Sequence, residues 1–354
     1  MKTKFQIASY ILTISLAVGV GLMSAFWLEK VTNVAGSRLS FLADVALVSK
    51  SYFVATSTDF SSVPTTTSRT TNETSLVFVG DIMLDRGVKN SIAKNGAGDY
   101  RYIIDDISKI QTADILVGNL EGPASDQGEN KNSNYSFRMS PEALVLLKDS
   151  SFNVLTVANN HIGDWGRPAF LDTLARIKDL GMIAVGGGSN FVEASTPQII
   201  DKNGTRFGFL AFTDVGPAWL AANDKSSGLV MAGDKRMPQI IKDSAGQVDV
   251  LIVSYHFGTE YQKVPNVRQK QLAHLAIDNG AKIVVGTHPH VPEEMENYNG
   301  GLIFYSLGNF IFDQNFSPDT MSGLVVKINF QGKNILDVWK MHSVQDKQFR
   351  VRVE

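Results

Sequence analysis

Ile283-Val284-Val285-Gly286-Thr287-His288-Pro289-His290 is the stretch on which the reading of this chain turns. A short, unbroken apolar run reads as a strand buried on both faces. The Gly-Thr-His-Pro-His that follows is a rigid turn presenting two imidazoles two residues apart. Imidazole is the commonest metal-binding side chain near neutral pH. Taken alone, the pair is equally well read as one core histidine and one surface histidine.

The rest of the chain repeats the arrangement. Leu76–Leu84, Asp114–Leu120, Val154–Ala158, Phe207–Phe212 and Val248–Tyr255 are further short apolar runs. Leu302–Leu307, Leu324–Phe330 and Ile335–Met341 follow with hairpin-like spacing. Helices are expected between them, from Ser140-Pro141, over Pro168 to Leu180 with Gly181 as a stop, and over Asn266 to Asn279. Alternation followed by consecutive strands predicts layered α/β, with helices outside packed sheets.

Polar residues collect where these runs end. Asp81 and Asp85 close the first, Asn119 and Glu121 the second, Asn159, Asn160 and His161 the third. His256 closes another, with Glu260 four residues on, and Asn309 and Asp313 flank Phe310-Ile311-Phe312. The carboxyl ends of strands are where open α/β sheets build their sites. Four of the six histidines lie in such positions. Each residue also has a structural reading: Asx turns for Asn159 and Asn160, a solvated carboxylate for Glu260, a cap for Asp85 on a helix from Gly87. Carboxylate, amide oxygen and imidazole together form a hard-to-borderline donor set that suits Mn, Fe or Zn. Two such ions sharing a carboxylate could activate water against a phosphoester, with His161 as candidate proton donor.

Composition narrows the alternatives. The formal charge of −2 gives no basic surplus for nucleic acid. There is no cysteine, which removes disulfides, thiolate metal sites, a cysteine nucleophile and a lipidated cysteine anchor. Lys2 and Lys4 precede an uncharged run from Phe5 to Leu28 closed by Glu29 and Lys30. About 20 apolar residues suffice to cross a bilayer. Met23-Ser24-Ala25 is a poor small-x-small exit, so an uncleaved single-pass anchor in the cytoplasmic membrane is expected. The leading lysines place the following domain outside the cytoplasm. The expected order is a tip and anchor over 1–30, a stalk and Ser/Thr-rich linker over 31–75, a globular domain over 76–345 and a tail over 346–354. The apolar stretch Phe41–Val54 within the stalk suits a dimer contact.

Six motifs occur in order: Phe78-Val79-Gly80-Asp81-Ile82-Met83-Leu84, Gly118-Asn119-Leu120-Glu121, Ala158-Asn159-Asn160-His161, His256-Phe257-Gly258-Thr259-Glu260-Tyr261, Gly286-Thr287-His288-Pro289-His290 and Tyr305-Ser306-Leu307-Gly308-Asn309-Phe310. Together, over about residues 76–315, they resemble the CapA family of poly-γ-glutamate capsule biosynthesis proteins. That family in turn looks like a branch of the calcineurin-like metallophosphatases. The resemblance implies a four-layer α/β/β/α sandwich with a dinuclear metal site. It implies Asp81 and His290 on a first metal, Asn160, His256 and His288 on a second, Glu121 as the bridging carboxylate and His161 as proton donor. Asn119, Asn159, Glu260 and Asn309 would stand as substrate or supporting contacts. It also implies other membrane components of a polymer synthesis and export system as partners, and an anionic polymer or phosphoester as substrate. Two positions depart from the phosphatase pattern. Met83 stands where an Asp-x-His motif has its histidine, and Asn119-Leu120-Glu121 replaces Gly-Asp-x-x-Asp. A one-ion site, or binding without turnover, therefore stays open beside the enzyme reading.

Overall fold

The computed structural model describes residues 72–354. The expected anchor over 5–28, the stalk and most of the linker lie outside the described residues. No helix among those described is long and apolar enough to cross a membrane.

The fold is mixed α/β. Its strands, in chain order, are β1 Glu73–Ile82, β2 Ile104–Asp106, β3 Ile115–Leu120, β4 Val154–Thr156 and β5 Ile183–Val185. They continue with β6 Gly187–Gly188, β7 Gln198–Lys202, β8 Thr205–Thr213, β9 Gly228–Leu229, β10 Val250–His256 and β11 Ile283–Thr287. The last are β12 Met295–Tyr298, β13 Gly301–Phe304, β14 Asn309–Ile311, β15 Ser322–Gln331, β16 Asn334–Gln345 and β17 Val351–Val353. One sheet runs β2-β17-β16-β15-β1-β3-β4-β5 with β14 added to β1, and a second runs β12-β13-β11-β10-β8-β7.

Why the apolar runs are unbroken follows from where alternate residues go. In the second sheet Val250, Ile252, Ile283, Val285, Phe207 and Phe209 join the cluster that holds the core of the first sheet. Their neighbours Leu251, Val253, Tyr255, Val284 and Phe212 pack instead with Met237 and Ile241 of helix Met237–Ala245 and with Leu272, Ala273 and Ala276 of helix Val267–Asp278. Both faces of these strands are thus removed from water. Phe207 meets Phe330 across the two sheets edge to face at 5.3 Å, the orientation aromatic pairs favour. Val88 and Ile92 of helix Arg86–Asn95, Leu144 and Leu147 of helix Glu142–Asp149, and Phe170 and Ile177 of helix Gly166–Asp179 join the first cluster.

Register aims the strand ends. Parallel pairing sets Asp81 opposite Asn119 on β3 and opposite Asn309 on β14, with irregularities beside it in both ladders. Such bulges re-aim a side chain. Gly80 is required here: a Cβ at that position would lie 1.8 Å from the Gly308 carbonyl oxygen, which accepts from Asp81 N at 2.9 Å.

Three expectations change. Residues 346–354, expected as a tail, carry β17, which pairs with β16 and β2 and buries Val351 and Val353. The globular part begins before residue 76, because β1 starts at Glu73. Asp85 precedes helix Arg86–Asn95 without capping it. Its Oδ2 accepts from Arg138 N at 2.8 Å, and Asp313 Oδ2 takes the Gly87 N–H at 3.0 Å instead.

Candidate metal centre

The ends of β1, β3, β4, β10, β11 and β14 meet at one rim. Asp81, Asn119, Glu121, Asn159, His256, His288, His290 and Asn309 are all buried there, and Asn160 and His161 are partly so. Asn119 is the hub. Its Nδ2 donates to Asp81 Oδ1 at 2.8 Å, and its Oδ1 accepts from Thr156 Oγ1 at 3.1 Å and Asn159 Nδ2 at 3.2 Å. Asn159 makes the Asx turn its type suggests, accepting from His161 N and Ile162 N through Oδ1. Asn159 therefore supports the loop that presents Asn160 and His161.

The ionisable residues form two groups, each with ligand atoms within 4.8 Å of one another: Asp81, Glu121 and His256, and Glu260, His288 and His290. Asn160 Oδ1 adjoins the first, 2.8 Å from His256 Nε2. On the other side of that ring Nδ1 lies 2.9 Å from Thr287 Oγ1. A hydroxyl either donates or accepts, so the imidazole can exchange tautomer and free Nε2 as a ligand. His290 is held differently. Asn309 Oδ1 lies 3.0 Å from its Nδ1, while Asn309 Nδ2 donates to Thr320 O and Gln314 Oε1. An amide oxygen only accepts, so Nδ1 carries the proton and Nε2 keeps its lone pair, the usual outer support of a metal-bound imidazole. His290 Nε2 is 3.8 Å from Glu121 Oε1, and its Nδ1 is 3.4 Å from Asp81 Oδ2.

Electrostatics point the same way. Burial, and then the carboxylate of Asp81, hold Glu121 well above the usual carboxyl range. Among the described residues neither Glu121 oxygen has a hydrogen-bond partner, and neither has buried Nδ1 of His288. Burial pushes His256 well below the ordinary imidazole value, with His288, His290 and His161 adding to it. His288 is pushed down to about 4 by burial and His290. Neutral imidazoles are the state that nitrogen ligands need, whereas the raised Glu121 carboxyl has to release its proton to a bound cation. Orphaned buried polar atoms demand a partner, and a divalent cation satisfies the carboxylate oxygens and the nitrogen at once. The residues therefore fit a divalent cation. Backbone strain falls at the same place: His288 has φ +98° and His290 φ +59°. Left-handed conformations of non-glycine residues cost about 1–3 kcal/mol and collect at functional sites.

His161 lies beside this cluster with Nδ1 2.8 Å from Asp164 Oδ2 and its ring centroid 4.0 Å from that of Phe137. Asp164 also accepts from Phe137 N and Ser133 Oγ. The carboxylate fixes the ring so that Nε2 is left for proton exchange, the orienting role known from acid–base pairs. Asp164 was not singled out from sequence. The available signal was its place three residues after His161, but Asp in a Gly-Asp turn is common. Glu260, expected as a supporting contact, falls within ligand distance of His288 and His290.

By fold the chain is a mixed α/β protein whose polar strand ends meet at one rim. It belongs to the family described as bacterial capsule synthesis protein PGA_cap, whose model matches residues 75–314. It is 37% identical over 251 residues to the PGA biosynthesis protein CapA of Bacillus subtilis (strain 168), covering 70% of this chain and 66% of that protein. It is 34% identical over 280 residues to the capsule biosynthesis protein CapA of Bacillus anthracis, covering 76% and 67%. The chain thus spans about two thirds of the length of these curated relatives. Among solved structures, the calcineurin-like phosphoesterase YfkN from Bacillus subtilis aligns with a TM-score of 0.43 at 14% identity, over 77% of this chain and 90% of that one.

Proposed function

We propose that this protein takes part in the biosynthesis or export of a capsule or exopolymer of the poly-γ-glutamate type. It acts as a single-pass membrane protein, anchored through residues 5–28, with its α/β/β/α domain outside the cytoplasm and other membrane components as partners. The observation that carries the reading is the identity of 34–37% to two proteins named for capsule and PGA biosynthesis. A gene deletion tests it. Loss or shortening of the cell-surface polymer is the expected result, and unchanged polymer amount and length contradicts it.

In this reading the strand-end cluster holds one or two divalent ions of Mn, Fe or Zn. Asp81, Glu121, Asn160, His256, His288 and His290 are the residues that hold them. A bound divalent ion there supplies Lewis acidity towards an anionic oxygen or a water. The chain supplies the rest. Asn119 orients Asp81, Asn309 orients His290, and the His161–Asp164 pair holds a proton acceptor or donor at the rim.

That pair supports a second reading, a metal-dependent phosphoesterase acting outside the cytoplasm. Here His161→Ala lowers phosphoester turnover by about 10²–10⁴-fold, the usual contribution of a general acid, while metal content stays at the wild-type level. Absence of hydrolysis of any phosphomonoester or diester by the metal-loaded protein contradicts this second reading and leaves the binding role.

A further inference from the structure

Met83 stands two residues after Asp81, at the position the phosphatase pattern gives to an imidazole. Its side chain is fully buried in a small cluster with Phe137 and Phe312, and Sδ accepts from Asp85 N at 3.2 Å. The sulfur is engaged by the chain, and a thioether is a poor donor to a hard cation.

A donor of the right kind comes from another loop. Glu260 offers a carboxylate oxygen within 4.8 Å of ligand atoms on His288 and His290. Independently, His288 is 7% exposed and its Nδ1 is buried without a hydrogen-bond partner among the described residues. A nitrogen in that state calls for a partner that the protein itself does not provide. The loop that carries Glu260 is tethered to the histidines. Tyr261 N donates to the carbonyl of Pro289, the residue between them, at 2.8 Å, and the Tyr261 hydroxyl accepts from Gln314 Nε2 at 3.1 Å. Tyr261 takes φ +64° to make that turn.

We propose that Glu260 is a metal ligand, completing with His288 and His290 an outer position beside the buried one of Asp81, Glu121 and His256. The inference rests on the metal-centre reading above. Glu121 joins the two positions: it belongs to the buried group, and its Oε1 is 3.8 Å from His290 Nε2. The donor that Met83 does not supply is thus replaced from the loop after β10, and His290 serves the outer position with His288. The buried position has two carboxylates and no solvent exposure, whereas Glu260 is exposed. The outer ion is therefore the weaker bound.

The test uses the full chain in detergent, stripped with EDTA and titrated with Mn²⁺ or Zn²⁺ by calorimetry, with elemental analysis of the loaded protein. Wild type is expected to bind in two phases. In Glu260→Gln the tighter phase is unchanged and the weaker loses about 10–100-fold or more in affinity, at least what disturbing the support of a ligand costs. Loading with Co²⁺ gives a second readout, a shift of the visible spectrum in the variant. A variant that matches wild type in stoichiometry, affinity and Co²⁺ spectrum overturns the role of Glu260 and leaves the centre standing. A wild-type protein that takes up no ion overturns the centre and this inference together.

Discussion

Glu121→Gln is expected to stabilise the metal-free protein and to abolish its stabilisation by metal. Glu121 is fully buried, both its oxygens lack a donor, and Asp81 stands beside it. A buried acceptor without a partner costs about 1–3 kcal/mol, and more when charged. The neutral amide removes that charge at almost the same volume. The gain is on the order of 2 kcal/mol, or about 5 °C in melting temperature for a domain of this size. The pH dependence has a definite sign. The folded-state pKa of Glu121 is raised, so its contribution is favourable below the unfolded value and is lost as pH rises towards the folded value. The gap between variant and wild type therefore opens as pH rises above the ordinary carboxyl range and closes again in acid. Added Mn²⁺ or Zn²⁺ reverses the order, because wild type gains binding energy that the variant cannot. Thermal unfolding with and without metal, across pH, measures both effects. A variant less stable than wild type in the absence of metal at neutral pH contradicts this account of Glu121.

Asn119→Leu is expected to destabilise the domain by about 3 kcal/mol or more, the sum of several lost buried contacts. The size is kept while three hydrogen bonds disappear, those to Asp81, Thr156 and Asn159. Asp81 Oδ1 is left without its donor inside the protein, and Asn159 loses one of the bonds that shape the loop of Asn160 and His161. Metal affinity falls with stability because Asp81 loses its orientation. Chemical denaturation gives the first effect and metal titration the second. A change below 1 kcal/mol means that Asn119 is not the hub described.

Much of this was legible in the sequence. The apolar runs from Leu76, Asp114, Phe207, Val248 and Ile283 became β1, β3, β8, β10 and β11, because strands covered on both faces carry apolar residues without alternation. The strand-end rule brought Asp81, Glu121, His256, His288 and His290 together before any geometry was known. Two short strands were not legible. Met295-Glu296-Asn297-Tyr298 has no fully buried residue, and nothing in its composition marks β12. Val351-Arg352-Val353 is too short to distinguish from a tail, and only pairing with β16 and β2 makes it a strand. The cap of helix Arg86–Asn95 comes from Asp313, which is remote in sequence and unreadable beside the nearer Asp85. The same limit hid the ligand distance of Glu260 to His288 and His290, whereas Asp164 was hidden because an Asp in a Gly-Asp turn is common.

Metal binding at these strand ends is the proposal on which the other expectations rest. Elemental analysis of the purified full chain tests it most directly, beside the double variant His288→Ala plus His290→Ala prepared in the same way. One to two ions of Mn, Fe or Zn per wild-type chain and a large loss in the double variant are expected. A folded wild-type chain without metal, or a double variant with unchanged metal content, contradicts it.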